Sequence, residues 1–147
     1  MIGKLDKQQN LNNYLAALTY LRGRKDSNGK TGCVGFCWGG AMANSLAVAD
    51  PKLNAAVAYY GTQPKAEDVP KIKATLLLHY AGLDERVNAG KDTYEAALKA
   101  NNIKYKQYVY EGANHAFNND SSPARYNPEA AKLAWDRTLK LFKEKLG

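Results

Sequence analysis

Four short apolar runs alternate with helix-like segments along the 147 residues, and that alternation restricts the folds open to the chain. The runs are 31–36 (TGCVGF), 55–60 (AAVAYY), 74–80 (ATLLLHY) and 105–110 (YKQYVY). Segments 39–49 and 92–100 read as helices, a third helix precedes the first run, and a fourth follows the last. The loop 63–73 holds a further short helix. Strands that alternate with helices predict an α/β fold, a parallel sheet flanked by helices on both faces. The run at 105–110 is short of aliphatics and is placed nearer an edge. No repeat or linker divides the chain, so residues 1–147 read as one domain.

The helices carry their own signals. Leu11, Tyr14, Leu15, Leu18 and Leu21 fall at i, i+3, i+4, i+7 and i+10, one apolar face. Asp50-Pro51 stops the small-residue helix. Tyr94, Ala97 and Leu98 are the inward positions of the next one. The last helix has Asn127 as N-cap, Pro128 in its first turn and Gly147 beyond its end. Its inner stripe is expected at Ala131, Trp135, Thr138, Leu139, Phe142 and Leu146.

Charge says little about partners. Twenty-one basic against fourteen acidic side chains leave +7, but the lysines are scattered. The tightest cluster, Arg22-Gly23-Arg24-Lys25, sits at a helix end, where positive charge complements the dipole. No nucleic-acid partner is expected. No apolar run approaches the ~20 residues of a membrane span, so no membrane partner is expected either. Residues 1–13 lack a leader's apolar core and only two cysteines occur, which predicts a cytoplasmic, reducing location. The two histidines and two cysteines have no zinc-site spacing. Cys33 and Cys37 form C-x3-C rather than C-x-x-C, so a redox pair is not the expected role.

Chemistry concentrates at Gly35-Phe36-Cys37-Trp38-Gly39-Gly40. It follows a strand, opens a helix and fits G-x-nucleophile-x-G with Cys in the nucleophile position. Glycines two before and two after leave room for the sharp turn. The thiol then stands at a helix N-terminus, and the Trp38 N–H is placed to donate to an oxyanion. The alternative is a glycine-rich turn with a buried, inert cysteine. Asp84 lies just past the third strand and His115 just past the fourth. In a parallel sheet these positions share one edge with Cys37, where open α/β sheets bind ligands. His115 would be the base and Asp84 its orienter. Read alone, Asp84 is equally a helix cap and His115 a surface loop residue. Tyr60 and Phe117, with Trp38 and Tyr59, line a substrate pocket or simply pack. His79, inside a strand, reads as a packed, hydrogen-bonded residue.

GFCWGG, AAVAYYG, LLLHYAGLDERVNAG, YVYEGANHAFNND and YNPEAAKLAWDRTLKLF together resemble the dienelactone hydrolase (carboxymethylenebutenolidase) family. The resemblance implies an α/β-hydrolase fold and a Cys37, Asp84, His115 triad. It implies hydrolysis of a small lactone or ester through a thioester, with no cofactor. Family members are longer at the N-terminus, so the resemblance also implies a fold that here lacks its N-terminal strands. The loop giving the second oxyanion N–H, an acidic residue near the resting thiol and a substrate-binding Arg belong to that region. An Arg that follows the catalytic His by four residues in the family is Asn119 here. The strand at 31–36 is then an open edge, and such edges attract strands. The partner expected is a second copy paired there or an N-terminal chain that completes the sheet. A fragment acting only by association is thus the alternative to an enzyme. Cys37-Trp38 also echoes papain-like proteases, but the C-G-S-C-W context is absent and the Asp precedes the His.

Overall fold

The computed structural model describes residues 6–147. The first five residues, part of the 1–13 stretch read for a leader, lie outside the described residues. In chain order the elements are α1 (Lys7–Gly23), β1 (Gly32–Phe36), α2 (Trp38–Ala49), β2 (Ala55–Tyr59) and β3 (Thr75–Ala81). Then come α3 (Glu85–Asn88), α4 (Lys91–Ala100), β4 (Tyr105–Tyr110) and α5 (Pro128–Leu146). A short 3-10 helix, Ala66–Lys71, fills the loop before β3. The sheet order is β1-β2-β3-β4, every pair parallel. Phe36, Tyr59, His79 and Tyr108 lie in one row across it. Every strand therefore ends on the same sheet edge.

Alternation along the strands sorts the core onto two faces. Ala56, Ala58, Leu76, Leu78 and Tyr80 pack with Leu18, Met42, Leu46, Tyr94 and Leu98 on one face. Val57, Tyr59, Leu77, Ala81 and Tyr110 pack with Phe117, Ala130 and Ala134 on the other. β2 is buried along its whole length, as a central parallel strand is. Among the described residues no helix is long and apolar enough to cross a membrane.

Five expectations change in the structure. First, α1 buries only Leu18, with Leu11 and Leu15 half-buried, while Tyr14 and Leu21 are exposed. The helix has one packing partner, α2, and a narrow i, i+4, i+7 stripe covers it. Arg22 secures the end of α1, pairing with Asp50 and donating from Nε to Thr31 Oγ1 at 3.0 Å. Second, the run at 31–36, which taken alone reads as a buried strand, is an edge strand, as the fold without its N-terminal strands implies, with Val34 36% and Phe36 38% exposed.

Third, the inner stripe of α5 is Ala130, Ala134 and Thr138, with Leu141 and Phe142 beside it. Trp135 is 44% exposed and Leu139 49%. Small residues let the helix approach the aromatic rings of the sheet, and the Thr138 hydroxyl finds partners there. The bulky stripe is turned one position, roughly 100°, toward β1. A Cβ on Gly32 of β1 would lie 2.9 Å from Leu146 Cδ1 and 3.2 Å from Phe142 Cε1.

Fourth, the short α3 occupies what read as loop between Asp84 and α4. Fifth, the two glycines that the elbow needs are Gly35 and Gly40, not Gly35 and Gly39. A Cβ at Gly35 would sit 1.9 Å from Gly39 O, and one at Gly40 2.6 Å from Tyr59 O. At Gly39 it would meet open space.

His79 is fully buried and hydrogen-bonded. Arg137 Nη1 donates to Tyr110 Oη at 3.0 Å, so the Tyr110 hydroxyl donates onward to His79 Nδ1 at 2.9 Å. Nε2 then carries the proton and donates to Thr138 Oγ1 at 3.3 Å. Thr138 also accepts from Tyr59 Oη at 2.7 Å and donates to Ala134 O at 2.9 Å. The Arg137 guanidinium stacks 3.6 Å over Tyr108. Burial, aided by Arg137, pulls His79 down to about 3, so the ring is neutral.

Candidate active site

Cys37 stands between β1 and α2 with φ 55 and ψ −119. A non-glycine residue in that region is strained by about 1–3 kcal/mol and stays there only if its surroundings hold it. They do: the Cys37 N–H donates to Tyr59 O at 3.1 Å, and Cys37 O accepts from Gly40 and Ala41. Gly40 lets α2 sit against the end of β2. The turn lifts the thiol out of the sheet and leaves it half-buried.

His115 Nε2 lies 3.0 Å from Cys37 Sγ. His115 Nδ1 lies 2.5 Å from Asp84 Oδ2. The three side chains come from the ends of β1, β3 and β4, as the topology requires. Asp84 makes both contacts its sequence context allowed. Oδ2 holds the imidazole, while Oδ1 accepts the Val87 N–H at 3.2 Å and caps α3. Two backbone hydrogen bonds fasten the Asp loop to the His loop: Gly82 N–H to Tyr110 O at 2.9 Å and Leu83 N–H to Ala113 O at 3.0 Å.

Burial pushes the Cys37 thiol up from its ordinary value. Arg125 pulls it down, Asp84 pushes it up, and Arg86 and the nearby Trp38 N–H pull it down. The net direction is upward, which favours the thiol over the thiolate. Trp38 N–H belongs to the first turn of α2, where amides lack intrahelical acceptors. The Trp38 side chain lines a cleft of about 330 Å3 with Leu11, Thr62 and Gln63.

Arg86 and Arg125 have no counterpart in the sequence reading. They line a shallow cleft of about 430 Å3 with Asp84 and His115. Neither forms an ion pair among the described residues. Their places, two after Asp84 and ten after His115, match no spacing rule, and only the folded loops bring them together.

Tyr60 and Phe117, read as pocket or packing, are buried. Tyr60 is 3% exposed and Phe117 0%, and they meet edge to face at 5.3 Å. The Tyr60 ring lies 4.9 Å from the His115 ring. They form the floor under His115. Cys33 is on the α2 face, and burial pushes its thiol up to about 12, so it is inert at neutral pH.

Comparison with known proteins agrees with the residues. The Dienelactone hydrolase family model matches residues 1–146. The carboxymethylenebutenolidase of Pseudomonas putida is 36% identical over 137 residues, covering 91% of this chain and 57% of the relative. An Escherichia coli O157:H7 protein assigned as a carboxymethylenebutenolidase is 39% identical over 121 residues, covering 75% and 44%. The crystal structure of a Klebsiella pneumoniae protein assigned as a dienelactone hydrolase superimposes with a TM-score of 0.86 at 30% identity. That match covers 97% of this chain and 64% of the other. The chain thus spans about half the length of the curated relatives it matches. Its parallel sheet, its element order and its match over residues 1–146 give one conclusion: the chain belongs to the dienelactone hydrolase family.

Proposed function

We propose that this chain carries the acyl-transfer centre of an ester or lactone hydrolase, with Cys37 as nucleophile, His115 as base and acid, and Asp84 as orienter. One observation carries the reading: a single imidazole touches the thiol with one nitrogen and a buried carboxylate with the other. His115 Nε2 takes the Cys37 proton as Sγ attacks the carbonyl carbon. The negative oxygen of the tetrahedral intermediate is met by the Trp38 N–H. Collapse breaks the C–O bond, and His115 returns the proton to the departing alkoxide. A thioester on Cys37 remains. His115 then takes a proton from water, hydroxide attacks the thioester, and the thiolate leaves and is reprotonated. Asp84 stabilises the imidazolium formed in each half. These steps need only the groups named and water.

The test is turnover of a small activated ester, with intact-mass detection of the acyl-enzyme. The expected result is hydrolysis in the wild type and one acyl group on Cys37 in rapidly quenched samples. A Cys37→Ala variant that turns over ester as fast as the wild type overturns the reading.

A second reading concerns association, and one observation favours it. Among the described residues β1 leaves a free strand edge bearing Val34 and Phe36, and Trp135 and Leu139 of α5 are exposed too. A further strand, from a second copy or from another polypeptide, would cover both.

A further inference from the structure

The loop bearing His115 must hold its imidazole against two partners from different strands. Its bond to the Asp84 side is set by the backbone links from Gly82 and Leu83. Its far end is held by Asn127 N–H donating to Phe117 O at 2.8 Å. Neither link runs to the strands that carry Cys37. Besides the His115–Cys37 contact itself, Tyr60 ties the loop by a side-chain hydrogen bond to the end of β2, beside β1 and Cys37. Its hydroxyl donates to Asn118 Oδ1, three residues past His115. Its ring lies against the imidazole at 4.9 Å and against Phe117 at 5.3 Å. Its backbone N–H donates to His79 O at 2.7 Å, and the preceding carbonyl, Tyr59 O, holds the Cys37 N–H.

Tyr60 has φ 38, a left-handed backbone that a tyrosine adopts only when its contacts enforce it. The kink sits next to the strained Cys37, and it turns the ring from the end of β2 onto the His115 loop. Resting on the reading above, we propose that Tyr60 is a positioning residue. Through the Asn118 hydrogen bond and its ring it sets the distance from the imidazole to the Cys37 sulfur. It touches neither substrate nor the reacting atoms. Its counterpart on the other side of the loop is the Leu83 link, which sets the distance to Asp84.

The test uses Tyr60→Phe, which removes one hydroxyl and keeps the ring, with Asn118→Ala, the double variant and His115→Gln. Alkylation of Cys37 by iodoacetamide is followed from acid to alkaline pH, without turnover. In the wild type the neutral-pH rate exceeds that of His115→Gln, and Tyr60→Phe removes at least half of that difference. Ester kinetics should show kcat down about tenfold with KM held, since small misplacement of a reacting pair is costly. The double variant should match either single one, because both break the same link.

Equal alkylation in the wild type and Tyr60→Phe overturns the proposal, as does equal alkylation in the wild type and His115→Gln. Additive effects in the double variant overturn it too. Rates that fall only with the folded fraction, read by thermal unfolding, make the hydroxyl a stability group and also overturn it. Failure of ester turnover in the wild type would sink the hydrolase reading while leaving the alkylation result to decide the role of Tyr60.

Discussion

Asp84 holds His115 with one carboxylate oxygen and caps α3 with the other. The proposed orientation of the imidazole and the local stability of α3 therefore share a single side chain, and substitution can separate them. Asn keeps an oxygen for the Val87 N–H and is as good an N-cap as Asp. Asp84→Asn should unfold at nearly the wild-type temperature while ester turnover drops on the order of 10⁴-fold, the size seen when a triad carboxylate is neutralised. Asp84→Ala should lose the same activity and a further ~1 kcal/mol of stability. Denaturant melts beside rate measurements check both. An active Asp84→Asn would show that the imidazole does not depend on this carboxylate.

The thiol of Cys37 is raised by burial and lowered by Arg125 and Arg86. Its alkylation should therefore inflect above the ordinary cysteine value. Replacing Arg125 with Gln should move the inflection higher still. A charged probe reads the same field. Iodoacetate should react faster relative to iodoacetamide in the wild type than in Arg125→Gln or Arg86→Gln. Both arginines are exposed, so added salt should shrink the contrast. An unchanged reagent ratio in both variants would mean the guanidiniums exert no field at the sulfur.

The assembly of the candidate site was legible because its signals are local and its geometry is topological. G-x-C-x-G marks a strand-to-helix turn, and parallel strands bring Asp84 and His115 to the end where Cys37 stands. What stayed hidden depends on angles and long-range contacts. Gly39 and Gly40 are indistinguishable in sequence, yet only Gly40 meets Tyr59 O. The stripes of α5 differ by one residue, and the aromatic rings of the sheet select the smaller side chains. Arg86 sits on the short α3, and Arg125 and Asn118 in the segment between β4 and α5, whose paths no periodicity predicts.

Those glycines make a sharp contrast in stability. Gly40→Ala would place a Cβ 2.6 Å from a backbone oxygen, so α2 must move off β2. A loss of several kcal/mol is expected, in the upper range for single substitutions. Gly39→Ala enters open space in a helix and should be neutral, or stabilising by up to ~1 kcal/mol. Paired melts decide it, and a tolerated Gly40→Ala would contradict the close approach of α2 to β2.

His79 ties folding to pH. Its folded value is pulled down to about 3, whereas an unfolded histidine titrates near ~6.5. Above that higher value both states are neutral and its contribution is fully present. Below it the unfolded chain binds a proton that the folded chain refuses, so stability falls with falling pH by up to ~1.4 kcal/mol per unit. The loss continues until the folded value is reached. His79→Gln should be less stable at pH 7, because the Tyr110 and Thr138 hydroxyls lose their partner, but its stability should fall less steeply between pH 6 and 4. Parallel slopes for the two proteins would mean that His79 titrates alike in both states.

Among the described residues the outer edge of β1 has no strand partner, and Val34 and Phe36 add apolar area on the face shared with α5. Edges that stay monomeric are commonly blocked by charge. The exposed side chains of β1 carry none. Purified protein should therefore associate in native mass spectrometry and size-exclusion measurements. Val34→Lys and Phe36→Lys each place a charge on that face, and Val34 stands three residues before Cys37. Both should shift the population toward the monomer, and Val34→Lys should leave Cys37 alkylation unchanged. A wild-type protein that stays monomeric at high micromolar concentration would show that this edge is closed by its own twist and side chains. Association that survives both lysine variants would move the interface away from β1.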